Sequence, residues 1–343
     1  MLYFMNDYQK GAHDAVLRAL VDSNNQENVG YGVDDWTARA AQRIKRQIGR
    51  ENVDVHFLIA GTQTNTAALT HFLRPYEAVI ATHLGHISVH ETGAIESMGH
   101  KIIEMKTSDG KLLPAQVEQA VKGHVDEHMV VPRVVYISNA TETGTIYSKS
   151  ELTALRQVCD QYNLLLYLDG ARLATALTSP DNDLSLADIA DLCDAFYIGG
   201  TKNGILFGEA LVICNDALKP YARHTIKQTG SMLAKGWLLG VQFDTLFTDD
   251  LFFRLGEHSN QMAQRLKKGI LELGYQLMCP TSSNIIFVVL DNDIHRELSK
   301  LCYYEAEKPY GDHSVEARFV TSWSTKPEDV DKLLTLLKQF AKN

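Results

Sequence analysis

Two short apolar runs stop abruptly at small residues and then present one ionisable side chain each: Leu166-Tyr-Leu-Asp-Gly-Ala-Arg172 and Tyr197-Ile-Gly-Gly-Thr-Lys-Asn-Gly204. A strand that is apolar at consecutive positions has to bury both faces, which is the condition of a parallel or mixed sheet covered by helices. The same grammar recurs along the chain. Strand-like runs at 55–60, 79–81, 101–105, 134–138, 164–168, 195–198 and 210–214 alternate with helical spacing at 66–73, 91–98, 113–121 and 149–162. Helices are also predicted over 15–21 and 36–48 before this repeat, and over 233–247 and 251–273 after it. The tail changes pattern, with strands at 277–278, 284–290 and 315–322 and helices at 294–301 and 327–340. The reading is an α/β fold of two units: an arm and a large domain over 1–248, then a small α+β domain over 249–343.

The formal charge is −9 and no block of Lys or Arg interrupts it. This speaks against a nucleic-acid or anionic-membrane partner, so a small anionic substrate has to be met by local positive charge. Five cysteines, Cys159, Cys193, Cys214, Cys279 and Cys302, are odd in number and never spaced as C-x-x-C. They predict buried free thiols rather than a disulfide framework or zinc ribbon. Met1-Leu-Tyr-Phe-Met-Asn-Asp-Tyr8 lacks a basic n-region and a long apolar core. No run reaches the ~18 apolar residues of a membrane span, and a cytoplasmic location is expected.

Taken singly, Lys202 reads as a turn cap and Asp169 as a helix N-cap. Taken together they suggest pyridoxal phosphate: a lysine amine condenses with the cofactor aldehyde, and a carboxylate facing the pyridine nitrogen keeps it protonated, so the ring accepts electrons from a carbanion at Cα. A phosphate would be held by free backbone N–H groups where Gly61-Thr62-Gln63 opens a helix, although any strand-to-helix turn has this look. His83-Leu-Gly-His-Ile-Ser-Val-His-Glu-Thr-Gly93 supplies a flat ring to lie over the pyridine, and a glutamate to move a proton. His86 and His90 at helical spacing are also a half-formed zinc site, but the H-E-x-x-H order and a further ligand are missing, so no metal is expected. Arg172 follows Asp169 closely, and Arg318 lies within Val315-Glu-Ala-Arg-Phe-Val-Thr321. Arg172 could reach the cofactor's phenolic oxygen, and the Arg318 guanidinium is suited to fork onto an α-carboxylate, or else to an internal ion pair.

Seven pieces in order resemble the L-threonine aldolases of low specificity: Asn6-Asp7-Tyr8, Gly30-Tyr-Gly-Val-Asp-Asp35, Gly61-Thr-Gln63, Gly85-His-Ile-Ser-Val-His-Glu91, Asp169-Gly-Ala-Arg172, Thr201-Lys202 and Arg318-Phe-Val-Thr321. These belong to the threonine aldolase and β-eliminating lyase group of fold-type-I pyridoxal-phosphate enzymes. The resemblance implies a large cofactor domain with a mixed, mostly parallel sheet and a small C-terminal domain. It implies that Lys202 carries the cofactor, Asp169 holds the pyridine nitrogen and His86 stacks on the ring. Gly61, Thr62 and Thr201 would bind phosphate. Arg172 would touch the cofactor oxygen and the substrate carboxylate, and Asn6, Tyr31 and Arg318 would also meet the substrate. His86, or a water held by His86 and Glu91, would be the base. A homodimer or homotetramer with shared active sites is implied too.

Two departures stand out. Asn139-Ala-Thr141 replaces an Asn-Thr-His run whose histidine helps read the substrate hydroxyl, and Gly230-Ser-Met-Leu233 replaces a Gly-Gly-Met-Arg run that lends an arginine to a neighbour's phosphate. Lys235 would be the substitute cation. The implied reaction is retro-aldol cleavage of a β-hydroxy-α-amino acid to glycine and an aldehyde. Its rivals are β-elimination or transamination on the same cofactor, and a non-catalytic binding protein that keeps the fold.

Overall fold

Side chains of the central strands alternate between two cores. Ile80, Val135, Ile137, Leu166, Leu168, Phe196 and Ile198 pack on one face of the sheet, and Val79, Val134, Tyr136, Leu165, Tyr167, Ala195 and Tyr197 on the other. Successive residues of a strand point to opposite faces, so unbroken apolar runs are satisfied only when helices cover both. The structure, a computed structural model, describes residues 1–340. The last three residues assigned to the small domain lie outside the described residues.

Seven strands form the main sheet: β1 (Asp54–Leu58), β2 (Glu77–Thr82), β3 (Ile102–Met105), β4 (Val131–Ser138), β5 (Leu165–Asp169), β6 (Ala195–Gly199) and β7 (Glu209–Ile213). Their order is β1-β7-β6-β5-β4-β2-β3. β3, β2, β4, β5 and β6 pair in parallel, while β7 runs antiparallel to both β6 and β1. The C-terminal sheet is antiparallel, in the order β9-β10-β8 for β8 (Ile285–Asp291), β9 (Glu305–Tyr310) and β10 (Ser314–Val320). Its inner face packs on the helices Leu251–Glu272 and Pro327–Phe340 through Leu266, Ile270, Val330, Leu333 and Leu337. Phe4 is buried in this third core and accepts from Val320 N at 2.8 Å through its carbonyl, which leads the N-terminal arm towards the centre of the molecule.

The predicted helix over 91–98 is two single turns, His86–Val89 and Ala94–Ser97. Thr92 and Gly93 between them have φ of 53° and 70°, a left-handed backbone that no α-helix continues through. The helix predicted from 233 begins at Trp237, and the helices Leu186–Leu192 and Ala222–Gln228 and strand β9 were not foreseen. The stretch 277–278 forms only an isolated bridge, from Leu277 to Val288. All five cysteines are free, and all but Cys279 are buried.

Candidate active site

Parallel strands deliver their C-terminal ends to one edge of a sheet, where α/β proteins place their ligands. Asp169 is the last residue of β5, Ser138 the last of β4, and the His86 and Lys202 turns follow β2 and β6. The small residues after β5 and β6 have a steric reason. A Cβ on Gly170 would lie 1.9 Å from the Tyr197 carbonyl oxygen, and one on Gly199 would lie 2.3 Å from that of Ala171. Only glycine lets these two turns pass so closely, and Gly199 N then donates to Gly170 O at 2.9 Å. This contact brings the Asp169 and Lys202 turns together.

Asp169 sits in a closed hydrogen-bond network. Tyr136 Oη donates to its Oδ2 at 2.6 Å, Asn65 Nδ2 donates to the same atom at 3.0 Å, and Ala171 N donates to Oδ1 at 3.0 Å. Asn65 Nδ2 also donates to Glu91 Oε1 at 2.8 Å, and Glu91 Oε1 accepts from His86 Nδ1 at 2.7 Å. Tyr167 Oη donates to Asn65 Oδ1 at 3.1 Å, which fixes the orientation of the amide. Burial alone would raise the Asp169 pKa. The positive charge of His86 and hydrogen bonds from Tyr136, Tyr197 and Asn65 outweigh it, so Asp169 stays below its ordinary value and ionised. His86 is likewise opposed by burial, but its bond to Glu91 and the charges of Glu142 and Asp169 raise it.

Lys202 is half-buried. Burial and then the Arg172 charge lower its pKa, against the pull of Asp7, Glu142 and Asp169. A lysine amine relieved of its proton is the form that attacks an aldehyde. Behind it, buried Glu209 accepts from Gly200 N at 3.0 Å, and burial pushes its pKa up to about 8. The helix Gly61–Phe72 opens with no side-chain cap, and the N–H groups of Gly61, Thr62 and Gln63 have no acceptor among the described residues. Gly61 packs against the Tyr197 hydroxyl, where a Cβ would stand 3.3 Å away. A nucleophilic lysine, an ionised carboxylate set for a pyridinium, a ring-bearing His86 and an uncapped helix N-terminus on one sheet edge fit pyridoxal phosphate.

The remaining expected residues divide. Arg172 is buried and forks onto Asp7, through Nε at 2.7 Å and Nη2 at 3.2 Å, so Nη1 is the nitrogen that Asp7 leaves unbonded. Arg318 pairs with Glu305 through Nη1, while its Nε is buried without an acceptor among the described residues. Asn6 Oδ1 is turned to its own arm, accepting from Tyr8 N at 3.1 Å, and it is Asp7 that enters the site. The Thr201 hydroxyl accepts from Gly208 N at 3.0 Å and closes its own loop rather than standing free for a phosphate. No hydrogen bond, ion pair or ring contact among the described residues joins Tyr31 or Lys235 to Lys202. Tyr31 is exposed, with φ of 63°, and the Lys227 ammonium lies 4.5 Å from its ring centroid; exposed Lys235 adjoins Ala234, whose carbonyl accepts from Tyr31 N at 2.9 Å. The His86 and His90 rings are 5.5 Å apart, and among the described residues no three His, Cys, Asp or Glu side chains gather as a metal ligand set.

Asp7, Asn65, Tyr136, Glu142 and Glu209 were missed as site residues. Asp7 alone left a signal, since it lies within the quoted Asn6-Asp7-Tyr8 piece. The others sit on strands, a helix and a turn far apart in sequence, and only the sheet order makes them neighbours.

A family model for beta-eliminating lyases matches residues 7–293. The low specificity L-threonine aldolase of Pseudomonas aeruginosa is 32% identical over 339 residues, covering 96% of this chain and 95% of the relative. A solved threonine aldolase from Leishmania major is 50% identical and superimposes with a TM-score of 0.98 over 99% of this chain and 100% of its own. An aspartate aminotransferase from Thermus thermophilus, 14% identical with a TM-score of 0.72 over 99% of this chain and 91% of its own, shares the fold. The chain therefore belongs to the beta-eliminating lyase family and is a pyridoxal-phosphate-dependent lyase.

Proposed function

We propose that this enzyme cleaves the Cα–Cβ bond of L-threonine, L-allo-threonine or a related β-hydroxy-α-amino acid, aryl-substituted ones included, and releases glycine and an aldehyde. The observation that carries this reading is the convergence of Lys202, Asp169 and His86 on one sheet edge, in a chain whose relatives bear the threonine aldolase name. Pyridoxal phosphate, when bound, supplies the electron sink for the pair left at Cα. Lys202 would hold it covalently, the N–H groups of Gly61, Thr62 and Gln63 would take its phosphate, and His86 would cover its ring. Asp169, kept ionised by Tyr136 and Asn65, would keep the ring nitrogen protonated. Nη1 of Arg172, which Asp7 leaves unbonded, and the Arg318 guanidinium would grip the substrate carboxylate, whose planar fork matches theirs.

A dimer or tetramer with shared sites is part of the proposal. Tyr31 and Lys235 make no hydrogen bond or ion pair with Lys202 among the described residues, and Val29, Tyr31 and Val33 expose apolar surface around Tyr31, which supports delivery to a second copy. A cytoplasmic location is proposed as well; among the described residues no helix is long and apolar enough to cross a membrane.

The test is to incubate the cofactor-loaded protein with L-threonine, L-allo-threonine and L-phenylserine and to identify products by mass. Glycine with the matching aldehyde is expected. A keto acid and ammonia without glycine would overturn the aldolase reading in favour of β-elimination, and an amino group passed to an added keto acid would favour transamination.

A further inference from the structure

Five acidic side chains surround the Lys202 turn: Asp7, Glu91, Glu142, Asp169 and Glu209. Four are buried and hydrogen-bonded, Glu91 through Oε1 alone. Asp7 accepts from Arg172 and Asn284, Glu91 from His86 and Asn65, Asp169 from Tyr136, Asn65 and Ala171 N, and Glu209 from Gly200 N. Glu142 accepts no hydrogen bond from any described residue. Its Oε2 lies 3.9 Å from Arg172 Nη1, the one guanidinium nitrogen that Asp7 leaves free, and its side chain is 18% exposed.

The turn that carries Glu142 brings Glu142 and Thr143 to the cleft, and of the two only Glu142 carries an ionisable group. Thr141 beside it is buried, with its hydroxyl bonded to Thr145 at 2.7 Å and Thr143 at 3.0 Å. Glu142 lines a cavity of about 560 Å³ together with Leu84, Val89, His90, Phe287 and Arg318. Glu142 thus stands between Arg172 Nη1 and the cavity that Arg318 also lines, and no hydrogen bond from a described residue holds it there. Those two guanidinium groups are the ones assigned above to the substrate carboxylate. The substrate's β-substituent then has the wide, largely apolar cavity ahead of it.

We infer that Glu142 is a catalytic residue that reads the substrate β-hydroxyl and takes its proton as the Cα–Cβ bond breaks. This rests on the aldolase reading given above. The hydroxyl proton passes to the Glu142 carboxylate, and the O–H electron pair becomes the second bond of the aldehyde carbonyl. The Cα–Cβ pair stays with Cα. Cα then takes up one proton to become glycine, which balances the proton given to Glu142. The assignment differs from the sequence-based expectation, in which His86 or a water held by His86 and Glu91 is the base. Glu91 spends Oε1 on His86 and Asn65 instead, which makes it the group that orients the His86 ring.

The experiment uses cofactor-loaded Glu142→Gln beside the native enzyme, with four readouts: cleavage of L-threonine, exchange of the glycine α-protons in heavy water followed by NMR, cofactor absorbance per chain, and binding of L-threonine against L-2-aminobutyrate. Glycine has no β-hydroxyl, so the exchange reaction needs everything except the role assigned to Glu142. Cleavage should fall about 100-fold or more, the range lost with a general base. Glycine exchange and cofactor content should stay near native, and the preference for L-threonine over its deoxy analogue should disappear. Cleavage at a near-native rate, or exchange falling in parallel with cleavage, would overturn the assignment. A native enzyme that releases no glycine from L-threonine would bring down the aldolase reading first, so the two failures are distinguishable.

Discussion

The floor of the site and its rim are built on opposite terms. On the floor, Asp169, Asn65, Glu91, Tyr136 and Asp7 are buried and tied to one another or to Arg172 and His86, so almost every polar atom has a partner. On the rim, Glu142 accepts no hydrogen bond from any described residue, Arg318 Nε is buried without an acceptor among them, and His90, Lys308 and Glu316 line an open cavity. The difference teaches which part serves chemistry common to every substrate and which part meets the substrate itself. A buried charge is costly unless it is paired and hydrogen-bonded, so the floor, with Glu91 Oε2 as its one exception among the named carboxylates, is preorganised before reaction. Groups that must change partner each turnover have to be left loose.

The contrast is broken most severely at Asp7. Replacing it with alanine strips the buried Arg172 guanidinium of its fork and should cost about 3–5 kcal/mol of stability, the usual loss when one member of a buried pair is removed. Urea unfolding of the cofactor-free protein measures it. A loss of under 1 kcal/mol would mean that the floor is no more tightly built than a surface pair.

A smaller effect is expected from Glu209, and it depends on pH. Its folded pKa is about 8 against an ordinary 4.5, so the folded state keeps a proton that the unfolded chain has released. More protons bound in the folded state means that stability is present in full below the lower value and declines as pH rises through this window. Glu209→Gln removes the titration, so native stability should fall relative to the variant between pH 5 and pH 8, by a few kcal/mol at most. Parallel pH curves for the two proteins would show that Glu209 is not the buried acid described here.

The smallest effect belongs to the rim. Glu305→Gln removes the carboxylate that pairs with Arg318 at a partly exposed position, where ion pairs contribute only about 0–1 kcal/mol. Stability should hardly change, while KM for L-threonine should fall a few-fold, because the substrate carboxylate no longer competes with Glu305. A large loss of stability, or a raised KM, would place Arg318 with the floor instead.

Much of the floor was legible because its residues follow strand ends. Asp169 and Lys202 were marked by apolar runs that stop at Gly170 and Gly199, and Gly61 and His86 by the turns after two other strands. Arg172 was also found, but its partner is Asp7, at the far end of the sequence. The rim was scarcely legible. Glu142 lies in a turn whose composition says nothing about which side chain faces outward, and Arg318 and Glu305 are opposed only because β9 and β10 pair with those two residues in register.

By itself the sequence determined the alternation of buried strands and helices, and with it the edge where loops collect, because hydrophobic periodicity and glycine placement act locally. It also determined the cofactor chemistry, since a lysine and a carboxylate after adjacent strands have few other joint uses. Only the tertiary structure decided which acids are spent and which is free. Asp7, Glu91, Asp169 and Glu209 carry the same carboxyl group as Glu142, and partners up to 277 residues away take up their lone pairs. The availability of a side chain depends on the groups packed around it, and those are set by strand order rather than by the residue's neighbours in the chain.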